Sequence, residues 1–349
     1  MNNVVIIGAG QTGRGFLNKF FYLNDQFVTF LDKDEDLINQ LQEKKSYQIS
    51  FGEEHAPLIV DNYEAYSIFS NQAKQIIRSA DLIFVSVGRP NLKDVKEILK
   101  EIGNDPSKQV DIITAENGIN VSSELEDLKG NDNIHIAESI VFCTTLSVEG
   151  SLDIFSEDLN YLPYDVVALG HTLNYQGMEP VQDLDVLMTR KILTYNCISA
   201  CVAYLGSYKG YTDYAEAAND PEIYGKIQTI RSALDQSIAK EFHISLEEQH
   251  DFSDMAIKKF TNRNIKDTVE RNVRDVDRKL GSNERLIAPL IVLYKNNTCS
   301  PELLSVVAAA LYYGEKTKTL KKDLRSYLEN LPEEWQNKVL CYLEELTRS

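Results

Sequence analysis

Three groups of residues in this sequence are spaced so that they could do chemistry. The first is Gly8-Ala9-Gly10-Gln11-Thr12-Gly13, which follows the apolar run 3–7 and precedes a helical pattern with Phe16, Leu17, Phe20 and Leu23 on one side. In the order strand, GxGxxG, helix, Gly8 makes the tight turn and Gly10 lets the backbone approach a pyrophosphate. Gly13 lets the helix pack close to the strand, and the helix N-terminus offers N–H groups to the anion. Asp32 lies 19 residues after Gly13, at the end of the strand-like run 27–31. An acidic side chain there accepts hydrogen bonds from an adenosine ribose and repels a 2′-phosphate, so NAD is expected rather than NADP. The alternative is that Asp32 only caps a helix starting near Asp34, and Lys33 sets a positive charge beside it.

The second group is Lys191, Asn196 and Ser199, which interrupt an otherwise apolar helix. At 100° per residue they project at about 0°, 140° and 80°, one broad face. A lone lysine on a helix is commonly solvated. In such apolar surroundings a desolvated amine is an equal expectation, and desolvation lowers its pKa towards that of a general base near neutrality. The third group is residues 258–285, where nine Lys and Arg face five Asp and Glu. This basic island reads either as a site for a small anion or as a solvated face with salt bridges such as Asp267 to Arg271.

The elements that must position these groups follow from periodicity. Residues 81–87 read as a buried strand ending at Val87 and Gly88-Arg89-Pro90. Leu92, Val95, Ile98, Leu99 and Ile102 form a helical stripe, and 110–114 is a further strand ending at Ala115-Glu116-Asn117-Gly118. Strands alternating with helices predict a parallel sheet with helices on both faces and ligands beyond the carboxyl ends of its strands, where Val87, Arg89 and Asn117 lie. From about Asp183 the chain turns helical, with Asp183 as N-cap, a helix to Leu205 and Gly206 as its stop. The expected architecture is therefore α/β: a Rossmann-type doubly wound domain over 1–180 and a mostly α-helical domain over 181–349.

Composition sets the outer limits. The chain has 349 residues and a formal charge of −17, which disfavours nucleic acid and anionic membrane surfaces as partners. No apolar run approaches the roughly 18 residues of a membrane span, and the N-terminus has no basic, signal-like segment. Five cysteines (Cys143, Cys197, Cys201, Cys299, Cys341) form no CxxC pair, which points to a reducing cytoplasm. Cys197 and Cys201 read as packing residues.

Several blocks resemble the polyol-specific long-chain dehydrogenase (mannitol dehydrogenase) family, in its mannitol-1-phosphate 5-dehydrogenase branch. They are Gly8-Ala9-Gly10-Gln11-Thr12-Gly13-Arg14-Gly15-Phe16, Ala115-Glu116-Asn117, Arg190-Lys191-Ile192-Leu193-Thr194-Tyr195-Asn196 with Ala203-Tyr204-Leu205-Gly206, and the stretch from Asp267-Thr268-Val269-Glu270-Arg271 through Arg278-Lys279-Leu280 to Glu284-Arg285-Leu286-Ile287-Ala288-Pro289-Leu290. The resemblance implies an NAD-dependent oxidoreductase. In it Lys191 would be the general base, and Asn117 and Asn196 would donate hydrogen bonds to the developing oxyanion. Gly8 to Gly13, Asp32, Val87, Arg89 and Asn117 would hold the cofactor. Ser199, Arg271 and Lys279 would hold the substrate, with Arg271 and Lys279 at its polar or anionic end. No metal is implied, since the lysine does what zinc does in other alcohol dehydrogenases.

Two positions depart from the family pattern. Ser199 stands where the family helix carries His, and Phe142-Cys143-Thr144 stands where it carries an acidic-basic pair. His135 or His171 are candidates to fill that gap spatially. The default expectation is interconversion of mannitol 1-phosphate and fructose 6-phosphate by a cytoplasmic monomer or weak dimer. The alternatives are a non-catalytic NAD-binding sensor or accessory protein, and a reductase of hexuronates or other sugar acids from the same family.

Overall fold

The computed structural model describes residues 3–52, 55–103, 108–116, 118–130 and 133–348. Six segments, β1 (Val4–Ile7), β2 (Val28–Asp32), β3 (Tyr63–Ser67), β4 (Leu82–Val85), β5 (Val110–Thr114) and β6 (Ile134–Glu138), form one sheet in the order β3-β2-β1-β4-β5-β6. Every neighbouring pair is parallel. This is the doubly wound 3-2-1-4-5-6 order, whose switch point lies between β1 and β4. Alternation along each strand sends successive residues to opposite faces. Val4, Ile6, Phe30 and Phe84 face one core, under Phe16, Phe20, Ile38 and Leu41. Val5, Ile7, Leu31 and Ile83 face the other, under Ala73, Ile77, Val95 and Leu99. Burial on both faces explains why the central strands β1 and β4 read as continuous apolar runs, whereas the edge strand β3 alternates and exposes Glu64.

The structure refines several sequence expectations. The strand read over 81–87 ends at Val85, and Ser86 to Gly88 turn away as a loop. Leu23, read as part of the helix's apolar side, is 54% exposed because that helix ends at Tyr22. A four-stranded sheet in the order Leu58–Val60, Tyr47–Ser50, Ile154–Ser156, Thr145–Ser147, and a two-stranded one of Leu162–Asp165 with Met178–Val181, carried no sequence signal. Their strands have three or four residues and find partners up to about a hundred positions away (Ile49 with Ile154), too short for periodicity to register.

The chain divides into two compact units, Met1–Met188 and Thr189–Ser349. The second is helical. At its centre a π-helical turn, Ile192–Asn196, continues into the helix Cys197–Tyr208, which packs against Val269–Val273, Pro301–Thr317, Tyr214–Ala218 and Pro221–Glu241. Gly206 does not stop this helix. It lies inside it, buried, where an added methyl would stand 2.7 Å from Ala217 Cβ. The reversal falls instead at Gly210, whose φ of +81° is open to glycine at no steric cost. No helix among the described residues is long and apolar enough to cross a membrane.

The glycine turn is sterically committed. A methyl group at Gly8 would overlap the Ser86 carbonyl, and one at Gly13 would overlap the Gly8 carbonyl. Gly13→Ala therefore has to push the helix off β1. It should cost at least about 2 kcal/mol, in the range of core overpacking, read as a lower urea midpoint for the unit that contains it.

Candidate functional site

In the first unit, a cavity of about 210 Å³ opens at the carboxyl ends of β1, β2 and β4. It is lined by Gly8, Gly10, Asp32, Lys33, Val87 and Asn91 among others. Gly8 donates from its N–H to Leu31 O (2.8 Å), which fixes the turn against β2. Gly10 is the open position, with nothing within 4 Å of where a Cβ would stand, so a ligand can reach the backbone there. Arg14 is buried behind the turn. It donates from Nε to Ala9 O (2.6 Å) and from Nη1 to Leu152 O, and stacks over the Tyr47 ring. Burial pulls its guanidinium below the ordinary value, partly offset by nearby Tyr47 and Tyr63. The Ala9 carbonyl is thereby held inward.

Asp32 does not cap the following helix. Asp34 does, accepting from Leu37 N, while Asp32 accepts from Ala9 N at 2.6 Å and from Asp34 N at 2.9 Å. Each carboxylate oxygen has a second lone-pair site, so Asp32 can still accept from a ribose at the cavity rim. Lys33 is drawn aside by Asn91 Oδ1 (2.9 Å), and Asn91 in turn donates to Val87 O (2.6 Å). Glu116 accepts from Val87 N (2.6 Å) and Gly88 N (2.7 Å), and burial raises its carboxyl above the usual range despite those bonds. Sequence reasoning assigned no role to Asn91 or to Arg14, and no local signal marks either. Arg89 is half exposed, pairs with Glu124 at 3.4 Å, and is not among the cavity-lining residues. Asn117 lies outside the described residues.

In the second unit, Lys191 is 4% exposed. Burial, then the charges of Lys259 and Arg285, lower its pKa to about 7, which decides the equal expectation in favour of the desolvated amine. The π turn after it matters. Cys197 N–H donates to Ile192 O, a five-residue step, and residues five apart on such a wide turn come round closer than the 140° of a regular helix. Lys191 and the half-buried Asn196 thus share a side more closely than the sequence projection implied. Polar contacts brace the turn. Gln249 Nε2 donates to Thr194 Oγ1 (2.9 Å), and Arg190 Nε donates to Gln249 Oε1 (3.2 Å). Ser199 is half-buried and accepts from Tyr214 Oη at 3.1 Å.

Within the basic island the expected Asp267–Arg271 salt bridge forms. Arg271 binds Asp267 through two hydrogen bonds of 2.7 and 2.5 Å. Burial pushes the Asp267 carboxyl up, but Arg271 outweighs it and holds the group below the usual range. Lys279 is the buried member, donating to Asn272 O at 2.5 Å. Burial, then Arg285 and Arg278, lower its pKa to about 7. An anion beside Lys279 and Arg285 would relieve that repulsion. His135 and His171 both bind Asp111, at the amino ends of β5 and β6 in the first unit. Phe142 is buried against Tyr161, and Cys143 Sγ lies 3.3 Å from Ser156 Oγ.

Sequence comparison matches residues 2–146 to the mannitol dehydrogenase Rossmann domain and residues 183–340 to the mannitol dehydrogenase C-terminal domain. A mannitol-1-phosphate 5-dehydrogenase of Clostridium acetobutylicum is 32% identical over 81% of this chain and 79% of the relative. One of Enterococcus faecalis is 27% identical over 94% and 90%. Among solved structures, a Pseudomonas fluorescens mannitol 2-dehydrogenase in ternary complex with NAD and D-mannitol superposes with a TM-score of 0.72 over 99% of this chain and 91% of that one, at 13% identity. A D-sorbitol dehydrogenase in substrate-free form gives 0.73 over 99% and 93%, also at 13%. At that identity the likeness is one of fold.

The buried amine carries a stability signature. Below about pH 7 Lys191 is charged in both folded and unfolded chains, so the folded state bears the full desolvation cost. Between about 7 and 10.5 the unfolded chain binds more protons, and stability rises with pH. Lys191→Met should therefore raise the denaturant midpoint at pH 6, by on the order of 2 kcal/mol or more. The gain should shrink as pH approaches 10, and a constant gain would mean that the amine is not desolvated.

Proposed function

As a member of the mannitol dehydrogenase family this chain is a polyol oxidoreductase, and we propose that it is NAD-dependent and interconverts mannitol 1-phosphate and fructose 6-phosphate. The carrying observation is Lys191, a buried amine brought to about pH 7 beside Asn196 on a π turn. The glycine turn, the open approach at Gly10 and the Asp32 carboxylate suit a dinucleotide without a 2′-phosphate. A nicotinamide cofactor bound there would supply hydride transfer.

The chain's own residues do the rest. Neutral Lys191 takes the hydroxyl proton during oxidation, and in reduction its ammonium returns it to the carbonyl oxygen. Asn196, and Asn117 by the family resemblance, donate hydrogen bonds to that oxygen as negative charge develops. Ser199 offers a hydroxyl, held by Tyr214, to the sugar chain. Lys279 and Arg271 face the anionic end, where a phosphate restores the charge that burial removes from Lys279. The glycine turn would hold the pyrophosphate, and Asp32 the adenosine ribose.

Absorbance assays with NADH against sugar phosphates, free ketoses and hexuronates test this reading. Fructose 6-phosphate should be the preferred substrate. kcat/KM for alcohol oxidation should climb with pH to a plateau, with a pKa near 7, because the base must be neutral. Lys191→Ala should abolish turnover while leaving NADH binding intact. Asn196→Ala should lower kcat by on the order of 10²-fold, with NADH affinity near wild type. Arg271→Ala should raise KM for phosphorylated substrates and leave neutral ones unchanged. NADH binding without turnover on any of these substrates would leave only a nucleotide-binding role.

A further inference from the structure

Asp111 and His135 are the second residues of β5 and β6, and the parallel register sets them side by side. They stand at the amino ends of these strands, the opposite edge of the sheet from the glycine turn. A third residue joins them from elsewhere in the chain. The helix Val166–Leu169 ends at Gly170, in the left-handed region at φ +81°, and the turn delivers His171 to the same carboxylate. Asp111 divides its two oxygens between them. Oδ1 lies 3.0 Å from His135 Nδ1, and Oδ2 lies 2.9 Å from His171 Nε2. The imidazoles meet edge to face, with centroids 5.8 Å apart, and the three donor atoms all lie within 4.8 Å of one another.

We propose that Asp111, His135 and His171 form a binding site for a divalent transition-metal cation, with Zn²⁺ the best match. Zinc bonds of roughly 2.0–2.2 Å to imidazole nitrogen and carboxylate oxygen, in tetrahedral array, set donor atoms about 3.3 Å apart. The two nitrogen-to-oxygen separations, 3.0 and 2.9 Å, already lie within a few tenths of an ångström of that. Two imidazoles and one carboxylate with a fourth, solvent-filled position is a zinc-type donor set. Ca²⁺ and Mg²⁺ demand six or more oxygens, which three residues of this kind do not supply. Access and preorganisation are both present. Asp111 is 13% exposed, His135 27% and His171 46%, so the carboxylate is anchored in the sheet while the outermost ligand faces solvent. Binding would exchange two hydrogen bonds for three coordinate bonds. It would clip the segment following Val166–Leu169 onto the sheet edge, and would stabilise the fold because the three ligands converge only when it forms.

The test uses the full-length chain after treatment with a chelator, titrated with Co²⁺ and with Zn²⁺. One equivalent should bind at micromolar metal, with a cobalt spectrum of nitrogen and oxygen ligation and no thiolate charge-transfer band. Saturating Zn²⁺ should raise the melting midpoint of the first unit by roughly 5 °C. His171→Ala, at an exposed position, and His135→Gln should each weaken binding at least about 10-fold, with an unchanged circular dichroism spectrum. A thiolate band would move the metal to a cysteine site. Unchanged affinity in both folded variants, or no binding at micromolar metal, would likewise overturn the assignment.

Discussion

A primary amine enclosed by an apolar helix gives up either its proton or its hydration. That constraint at Lys191 organises the second unit. Lys191 is 4% exposed, and Lys259 and Arg285 add repulsion of like sign. The outcome is an amine near neutrality. The cost in stability is a common mark of functional sites, where activity rather than stability sets the residue type. The π turn from Ile192 to Asn196 belongs to the same design. It trades helix regularity for a wider step that turns Asn196 towards the lysine's side.

Buried polar groups brace that turn beside the packing of Tyr195 on Phe252. Gln249 joins Arg190, Thr194 and Asp235, and Arg231 joins Asp235 and Ser253. Such a network is stabilising only when each member is satisfied, and in that state it specifies one geometry. The first unit uses the same device at its glycine turn. Arg14 holds the Ala9 carbonyl inward while Asp32 holds the Ala9 N–H, so both ends of one residue's polar backbone are fixed beside the open face of Gly10.

Much of this was legible before any coordinates. The doubly wound sheet followed from apolar runs alternating with helical stripes, and the glycine turn from three glycines in a strand-to-helix setting. Elsewhere local reading misjudged what a residue was for. Gly206 looked like a helix stop, yet its missing side chain makes room for Ala217, a contact decided by a different helix. Asp267 with Arg271 was readable as an i, i+4 pair. That Lys279, eight positions on, would be buried beneath the charge of Arg285 was not, since it lies against Tyr204 of another helix. The four-stranded sheet was invisible because pairs such as Ile49 with Ile154 carry no periodic trace.

Sequence alone determined the order of elements, the dinucleotide-type turn and the residue types available for chemistry, because these rest on short-range periodicity, on glycine's missing side chain and on spacing within one segment. Only the tertiary structure decided the state of those groups. It settled that Lys191 is desolvated, that Asp32 still faces a cavity while Asp34 does the capping, and that His135 and His171 share Asp111. The physical reason is range. Propensity and periodicity are properties of neighbours along the chain, whereas solvation and charge depend on whatever the fold brings close, from any distance in sequence.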